Sequence, residues 1–349
     1  MGTYSVSVRE LCEYSLMGGS IDNRFSAGMR MQEGIRLHQY IQKSYGDDDE
    51  AEYSLSMKAV FGEITLNISG RADGILKMNS EPVIEEIKST SMAYGDIEAP
   101  QPVHLAQCKV YAYMYALPRA LEKIGLKVTY VHLSGRKETH FEQETTLEEL
   151  REAFNDICAD YIENLIFMEG VISERNESIS SLRFPFEFRR YQKETINYLY
   201  RCIQKKTGVY MNAPTGSGKT LNTVYPSIKS LPNLKNGKIF YLTSKSTQKA
   251  VALNAMEQLE KKGLRAKTAE ITAKEKSCIL DKPKCNPKDC PYALNYYDKL
   301  RTVVRQMLIE NTIMTKETFR KYAEQHTVCP FELSLDISLF ADMVMCDYN

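Results

Sequence analysis

Three side chains within Gly70–Thr90, GRADGILKMNSEPVIEEIKST, could do chemistry together. Glu86 and Lys88 are two apart, and alternate residues of a strand share a face. Asp73 opens the preceding apolar run. The Asn79-Ser80 turn signal between the runs predicts a β-hairpin that brings Asp73 across to the pair. Two carboxylates can hold a hard divalent cation such as Mg²⁺ or Mn²⁺. A lysine beside them can steady an activated water and the charge that develops on a phosphate. Taken alone, E-x-K is equally the pattern of a solvated strand face, so the elements around it decide its meaning.

A second group is Ala213-Pro214-Thr215-Gly216-Ser217-Gly218-Lys219-Thr220, after a short apolar strand expected over Gly208–Asn212. Its glycines let backbone N–H groups close on phosphate oxygens. Lys219 reaches the outer phosphates, and the Thr220 hydroxyl is placed for Mg²⁺. The strict phosphate-loop pattern begins with Gly, and Ala213 stands there instead. A third group is cysteine. Cys278, Cys285 and Cys290 fall within thirteen residues, and Cys329 follows. Four thiolates suit Zn²⁺ or a [4Fe–4S] cluster, and the spacing does not separate the two. Cys202 and Cys346 have no such neighbours and are expected to be buried.

The 349 residues leave room for about two domains. The net charge of zero hides an asymmetry: residues 1–175 carry 17 Lys+Arg against 28 Asp+Glu, and residues 176–349 carry 28 against 17. The basic half is a candidate polyanion binder. No apolar run is long enough to span a membrane, and no signal pattern opens the chain, so the expected location is cytoplasmic. In that compartment clustered cysteines point to metal ligation rather than disulfides.

Helices are expected over 5–18 and over 30–44, where Met31, Ile35, His38 and Ile41 form one stripe. Strands are expected over 52–61, 63–70, 73–78 and 82–88, then a helix from Val103 to about Leu117 with Gln107 and Tyr111 on one face. A strand over 128–133 follows. A long helix to about Met168 is opened by the capping box Thr146-x-x-Glu149.

In this order, His38, Asp73, Glu86-Ile87-Lys88 and Gln107…Tyr111 resemble the PD-(D/E)xK nucleases of the RecB-like group. The likeness covers roughly residues 5–170. It implies a restriction-endonuclease-like α/β core over 1–175. Asp73 and Glu86 would hold Mg²⁺ or Mn²⁺, with the Ile87 carbonyl and His38 contributing. Lys88 would activate water, and Gln107 and Tyr111 would position the DNA backbone or the site. The iron–sulfur cluster of some such nucleases is not expected, because Cys12 and Cys158 lack the remaining ligands.

The second half resembles superfamily 2 helicases. Gln192 closes an aromatic-basic segment, Phe184–Gln192, upstream of the phosphate loop and would contact adenine. Lys238–Thr243 reads as a buried strand, and Ser244–Gln248 opens a helix like one that touches the DNA backbone. Four cysteines after the loop narrow the likeness to XPD/DinG-like helicases. It implies a RecA-like motor over 176–349 with a [4Fe–4S] insertion at about 270–332, ligated by Cys278, Cys285, Cys290 and Cys329. It also implies ATP bound by Gln192 and by Gly216, Ser217, Gly218, Lys219 and Thr220. Ala341–Asn349 reads as a buried strand, and Asp347 is not taken as a Mg²⁺ ligand, because Tyr348 follows it where that motif has Glu.

The expected protein is thus an α/β nuclease–helicase acting on DNA with single-stranded character. The motor motifs that follow in such helicases are not in this stretch, so unwinding is not expected of it alone. A nuclease fold without chemistry, serving as a DNA clamp, is the alternative reading. A phosphate-loop ATPase unconnected with DNA is a third.

Overall fold

The computed structural model describes the chain except residues 1, 24–26, 79, 80, 91, 93, 134, 215, 245 and 349; side chains are also undescribed at 27–32 and 246. The Asn79-Ser80 turn, Thr215, Lys245 and the Met31 side chain therefore lie outside what is described. Two compact units form. One runs to Ile166, and the other takes Phe167 onward together with Gly19–Asp22. Both are α/β.

The first unit is built on a mixed sheet. In chain order come β1 (Gly2–Ser7), α1 (Val8–Leu16), α2 (Ala27–Gln42), β2 (Glu50–Phe61), β3 (Ile64–Met78) and β4 (Glu81–Thr90). They are followed by α3 (Pro102–Ala116), β5 (Lys123–His132), β6 (Glu138–Thr146) and α4 (Leu147–Ser181). The strand order is β1-β3-β4-β5-β6, with β2 pairing β3 antiparallel. Side chains from α1, α3 and the first turns of α4 join one sheet face in a core around Leu11, Leu66, Ile68, Val110 and Leu150. On the other face Leu37 and Ile41 of α2 pack on Ile87 and Val131.

Several expectations shift. Residues 5–18 are not one helix: Gly2–Ser7 pairs parallel with Ile64–Ser69, and Ser7 caps α1 by accepting the Glu10 N–H. The runs 63–70 and 73–78 are one strand, β3. The strand expected over 128–133 is β5, which starts at Lys123, and it pairs with the unforeseen β6. The helix expected to end near Met168 continues to Ser181. Its capping box is present: the Thr146 N–H donates to Glu149 Oε2 at 2.9 Å, and the Glu149 N–H donates to Thr146 Oγ1 at 3.3 Å.

Close packing on the α2 face gives a test. A Cβ at Gly74 would run into the Tyr45 hydroxyl, and that hydroxyl donates to buried Glu85 at 2.6 Å. Gly74→Ala should lower stability by about 1–3 kcal/mol through overpacking. Gly170→Ala, where a helical Cβ meets nothing within 4 Å, should raise it by about 0.5–1 kcal/mol. Urea unfolding of the two variants checks the opposite signs.

In the second unit come α5 (Gln192–Gln204), α6 (Lys219–Ser230), β7 (Ile239–Thr243), α7 (Ser246–Glu260), β8 (Thr268–Glu270) and α8 (Lys274–Ser277). After them come α9 (Tyr296–Glu310), β9 (Ile313–Met314), α10 (Lys316–His326), α11 (Pro330–Phe340) and β10 (Met343–Asp347). The sheet order is β7-β10-β8-β9, and every pairing is parallel. The strand expected at the chain's end is β10. Its Met343 and Met345 enter one core while Val344 enters the other, so β10 is covered on both faces. The strand expected to be buried over 238–243, β7, is covered on one face only: Phe240 and Leu242 are exposed. The run 208–212 is not a strand: among the described residues it has no ladder partner, and Tyr210 is fully exposed. Cys202 is buried as expected, whereas Cys346 is only half-buried. No helix among the described residues is long and apolar enough to cross a membrane.

Candidate active site

The edge of β3 that faces β1 and β4 explains the cleft. It pairs β1 as far as Ser69 and β4 from Gly74 onward, and the ladder is open between them. Asp73 stands at the end of that gap. The strand's alternation also slips there: Ala72 and Ile75, three apart, enter the same core. Facing Asp73 across the β2 ladder is Glu52, with a positive φ of 56°. A slip of this kind re-aims a side chain. Asp73 thus turns to the face that Ile84, Glu86 and Lys88 share on β4. Its Oδ2 accepts the Ile87 N–H at 2.7 Å, in place of the missing ladder bond.

One cleft is lined by His38 of α2, Asp73 of β3, Glu86 and Lys88 of β4, and Gln107 and Tyr111 of α3. All six residues singled out in the first half of the sequence are therefore brought together. His38 Nδ1 lies 3.4 Å from Asp73 Oδ1. The Lys88 ammonium donates to Glu86 Oε1. Glu86 is buried, and its carboxyl is pushed up to about 7, first by desolvation and then by the nearby Asp73 charge, against the pull of Lys88 and His38. Tyr111 packs against the strand: a Cβ at Gly70 would meet its hydroxyl at 2.7 Å. Gln42 of α2 braces the site by donating to the Asp73 carbonyl and to Glu52 Oε1, both at 3.0 Å.

Among the described residues no group of three or more His, Cys, Asp or Glu could hold a metal ion as it stands. The donor chemistry here nevertheless fits a hard cation. Two carboxylates, one of them raised by the other's charge, meet beside a histidine, and a divalent charge would relieve that repulsion.

The same cleft holds residues that sequence reading passed over. Arg9 and Glu13 of α1, Arg71 of β3 and His104 of α3 also line it. His104 had a readable signal: it is three before Gln107 and seven before Tyr111, on the same helix face. Arg9 and Arg71 had none, because only the β1–β3 pairing and the open edge bring them to the rim.

In the second unit the phosphate loop is braced from upstream. Gly216 and Gly218 take φ of 82° and 80°, and Gly218 caps α6. Arg189 donates to the Gly216 carbonyl. Gln192 lies beside the loop. It is buried, accepts the Arg189 N–H at 3.0 Å and donates to Asn222 Oδ1 at 2.6 Å. A Cβ at Gly218 would lie 2.8 Å from its Nε2. Its place in this structure is therefore to hold the loop. Lys219 Nζ donates to the Ala213 carbonyl at 2.8 Å, and the Ser217 hydroxyl is buried with no partner among the described residues. Two left-handed glycines, a helix N-terminus, a lysine and an unpaired hydroxyl fit a bound phosphate.

Cys278, Cys285, Cys290 and Cys329 line one small cavity with Lys274, Lys284 and Ile21. Cys278 ends α8, and Cys329 is the N-cap of α11. Burial raises Cys329 to about 11, and the N–H groups of Phe331 and Glu332 oppose the shift. As they stand the four thiols, too, form no metal-holding group among the described residues, but lining one cavity beside Lys274 and Lys284 they are the donor set of a ligand that takes four thiolates.

Residues 219–349 match the DEAD_2 family. The Regulator of telomere elongation helicase 1 of Homo sapiens is 21% identical over 218 residues, covering 48% of this chain and 18% of that protein. Its Caenorhabditis briggsae homolog is 23% identical over 217 residues, covering 49% and 22%. The chain thus matches less than a quarter of the length of these relatives. A solved structure titled "Crystal structure of SSO0001" aligns with 44% of this chain and 75% of that one, at 16% identity and a TM-score of 0.30, a likeness too loose to define a fold. The DEAD_2 segment and the distant likeness to these helicases support kinship with the XPD/Rad3-type superfamily 2 helicases.

Proposed function

We propose that this chain processes DNA, joining a metal-dependent PD-(D/E)xK nuclease to the phosphate-loop segment of an XPD/Rad3-type helicase. The observation that carries the nuclease reading is convergence. Six residues spread from His38 to Tyr111 reach one cleft through four different elements. A solvated strand face gives no reason for that. Asp73, Glu86 and His38, with the Ile87 carbonyl, would hold Mg²⁺ or Mn²⁺; such an ion supplies charge for a phosphate oxygen and acidifies a bound water. Lys88, whose ammonium donates to Glu86, would turn to the phosphate that the metal holds. Gln107 is held buried on the cleft wall, and Tyr111 fixes α3 against β3.

The helicase part rests on the DEAD_2 match and on the phosphate loop's fitness for ATP, bound by Gly216, Ser217, Gly218, Lys219 and Thr220, with Gln192 holding the loop's shape. The four cysteines on one cavity support a [4Fe–4S] cluster. The DNA partner would have single-stranded character.

Calorimetric titration with Mn²⁺ tests the first site. The unmodified protein should bind the ion, and Asp73→Asn should weaken binding by at least about tenfold with an unchanged melting temperature. Equal binding by both proteins would remove Asp73 from the site.

A further inference from the structure

His104 is the one imidazole of the cleft not absorbed by the nuclease signature. It lies on the α3 face that also carries Gln107 and Tyr111, and its side chain lines the cleft. Its other wall is Tyr130, which stands beside Lys88 in the parallel β4–β5 register. Tyr130 Oη accepts the Gln101 N–H at 2.9 Å, and the same oxygen lies 2.8 Å from His104 Nδ1. The Tyr130 hydroxyl, which accepts from Gln101, keeps its own proton to give to Nδ1, and in that arrangement the ring's proton sits on Nε2. Among the described residues Nε2 makes no hydrogen bond, and the side chain lines the cleft.

We propose that His104 is a further substrate-contacting residue of this cleft, donating its Nε2–H to a non-bridging oxygen of the DNA phosphate that Lys88 serves. The assignment rests on the nuclease reading of the same cleft. Supporting it, His104 is held down to about 4, by burial and then by the positive charges of Lys88 and Arg9. The ring therefore stays neutral at working pH, and it acts as a fixed hydrogen-bond donor, not as a proton source. A neutral donor suits a site where Lys88 and a metal ion already supply positive charge. A third cation there would repel both. The Tyr130–Gln101 pair makes the donor preorganised, which is where such groups gain their effect.

The test compares His104→Leu, which removes the donor, with His104→Gln, whose amide nitrogen falls near the Nε2 position. Each is assayed for Mn²⁺-dependent cleavage of a labelled single-stranded DNA, with kcat and KM resolved, and for thermal melting. His104→Leu should lower kcat by about 10- to 100-fold with the melting temperature kept, and His104→Gln should recover most of that loss. Unchanged kcat in His104→Leu, or a His104→Gln as slow as His104→Leu, overturns the assignment while leaving the nuclease reading intact. An unmodified protein that binds Mn²⁺ and does not cut DNA overturns the nuclease reading and this assignment with it.

Discussion

Lys88→Ala should leave a protein that folds and binds Mn²⁺ but cleaves DNA about a hundred- to a thousandfold more slowly, the loss expected when a preorganised charge on a developing oxyanion is removed. The reason lies in what surrounds the lysine. Its ammonium pairs with Glu86, a carboxylate buried on β4 and already raised by desolvation and by Asp73. Lys88 stabilises the charged form of Glu86, so removing it raises that carboxyl further. A bound cation replaces this service, so metal binding should survive. The role on the phosphate has no substitute, because the remaining cleft cations, Arg9 and Arg71, pair with Glu13 and Glu52 at the rim. Stability should change little, since Lys88 is partly exposed and its loss opens no core cavity. The check is single-turnover cleavage alongside calorimetry. Retained cleavage with retained Mn²⁺ binding would leave Lys88 an ordinary partner of Glu86.

The second large effect concerns the cysteine cavity. Protein purified without oxygen should be brown, with about four irons per chain, and Cys290→Ser should abolish both iron and colour. The segment between α8 and α9 contains no regular element, and its described backbone bonds are few: Cys278 N to the Lys274 carbonyl, Asn286 N to the Lys284 carbonyl, Cys290 N to the Asn286 carbonyl, Ala293 N to the Cys290 carbonyl and Ile21 N to the Ala293 carbonyl. Such a segment needs a staple, and a ligand-bound site contributes folding free energy directly. Loss of the ligand should therefore lower the melting temperature of the second unit by about 10 °C, the shift that several kcal/mol produces in a domain of this size. Colourless protein carrying one zinc per chain would assign the cavity to Zn²⁺.

The legible parts of this sequence were those with local causes. The β3–β4 hairpin followed from two apolar runs, α4 from its Thr146–Glu149 box, and the phosphate loop from its glycines and lysine. What escaped reading had non-local causes. β1 is six residues whose strand state depends on parallel pairing with Ile64–Ser69, far along the chain. β6, ETHFEQETT, is a largely exposed edge strand beside β5, so it carries almost no apolar alternation. The run 208–212 has the composition of a buried strand but no partner among the described residues, and composition alone cannot supply a ladder. At the site, residue types and order were readable, whereas geometry was not. The slip at Asp73, the brace from Gln42 and the Tyr130–His104 pair depend on register and packing. Gln192 illustrates the difference: its position beside the loop was anticipated, but its buried bond to Asn222 makes it a support for the loop.

The most direct measurement is cleavage itself. Single-stranded DNA labelled at either end is incubated with the unmodified chain in Mg²⁺, in Mn²⁺ and in EDTA, beside Asp73→Asn. The proposed chemistry predicts cut products with either metal, none in EDTA and none from the variant. DNA left intact in both metals by a folded protein that binds Mn²⁺, or cleavage that Asp73→Asn leaves unchanged, would contradict it.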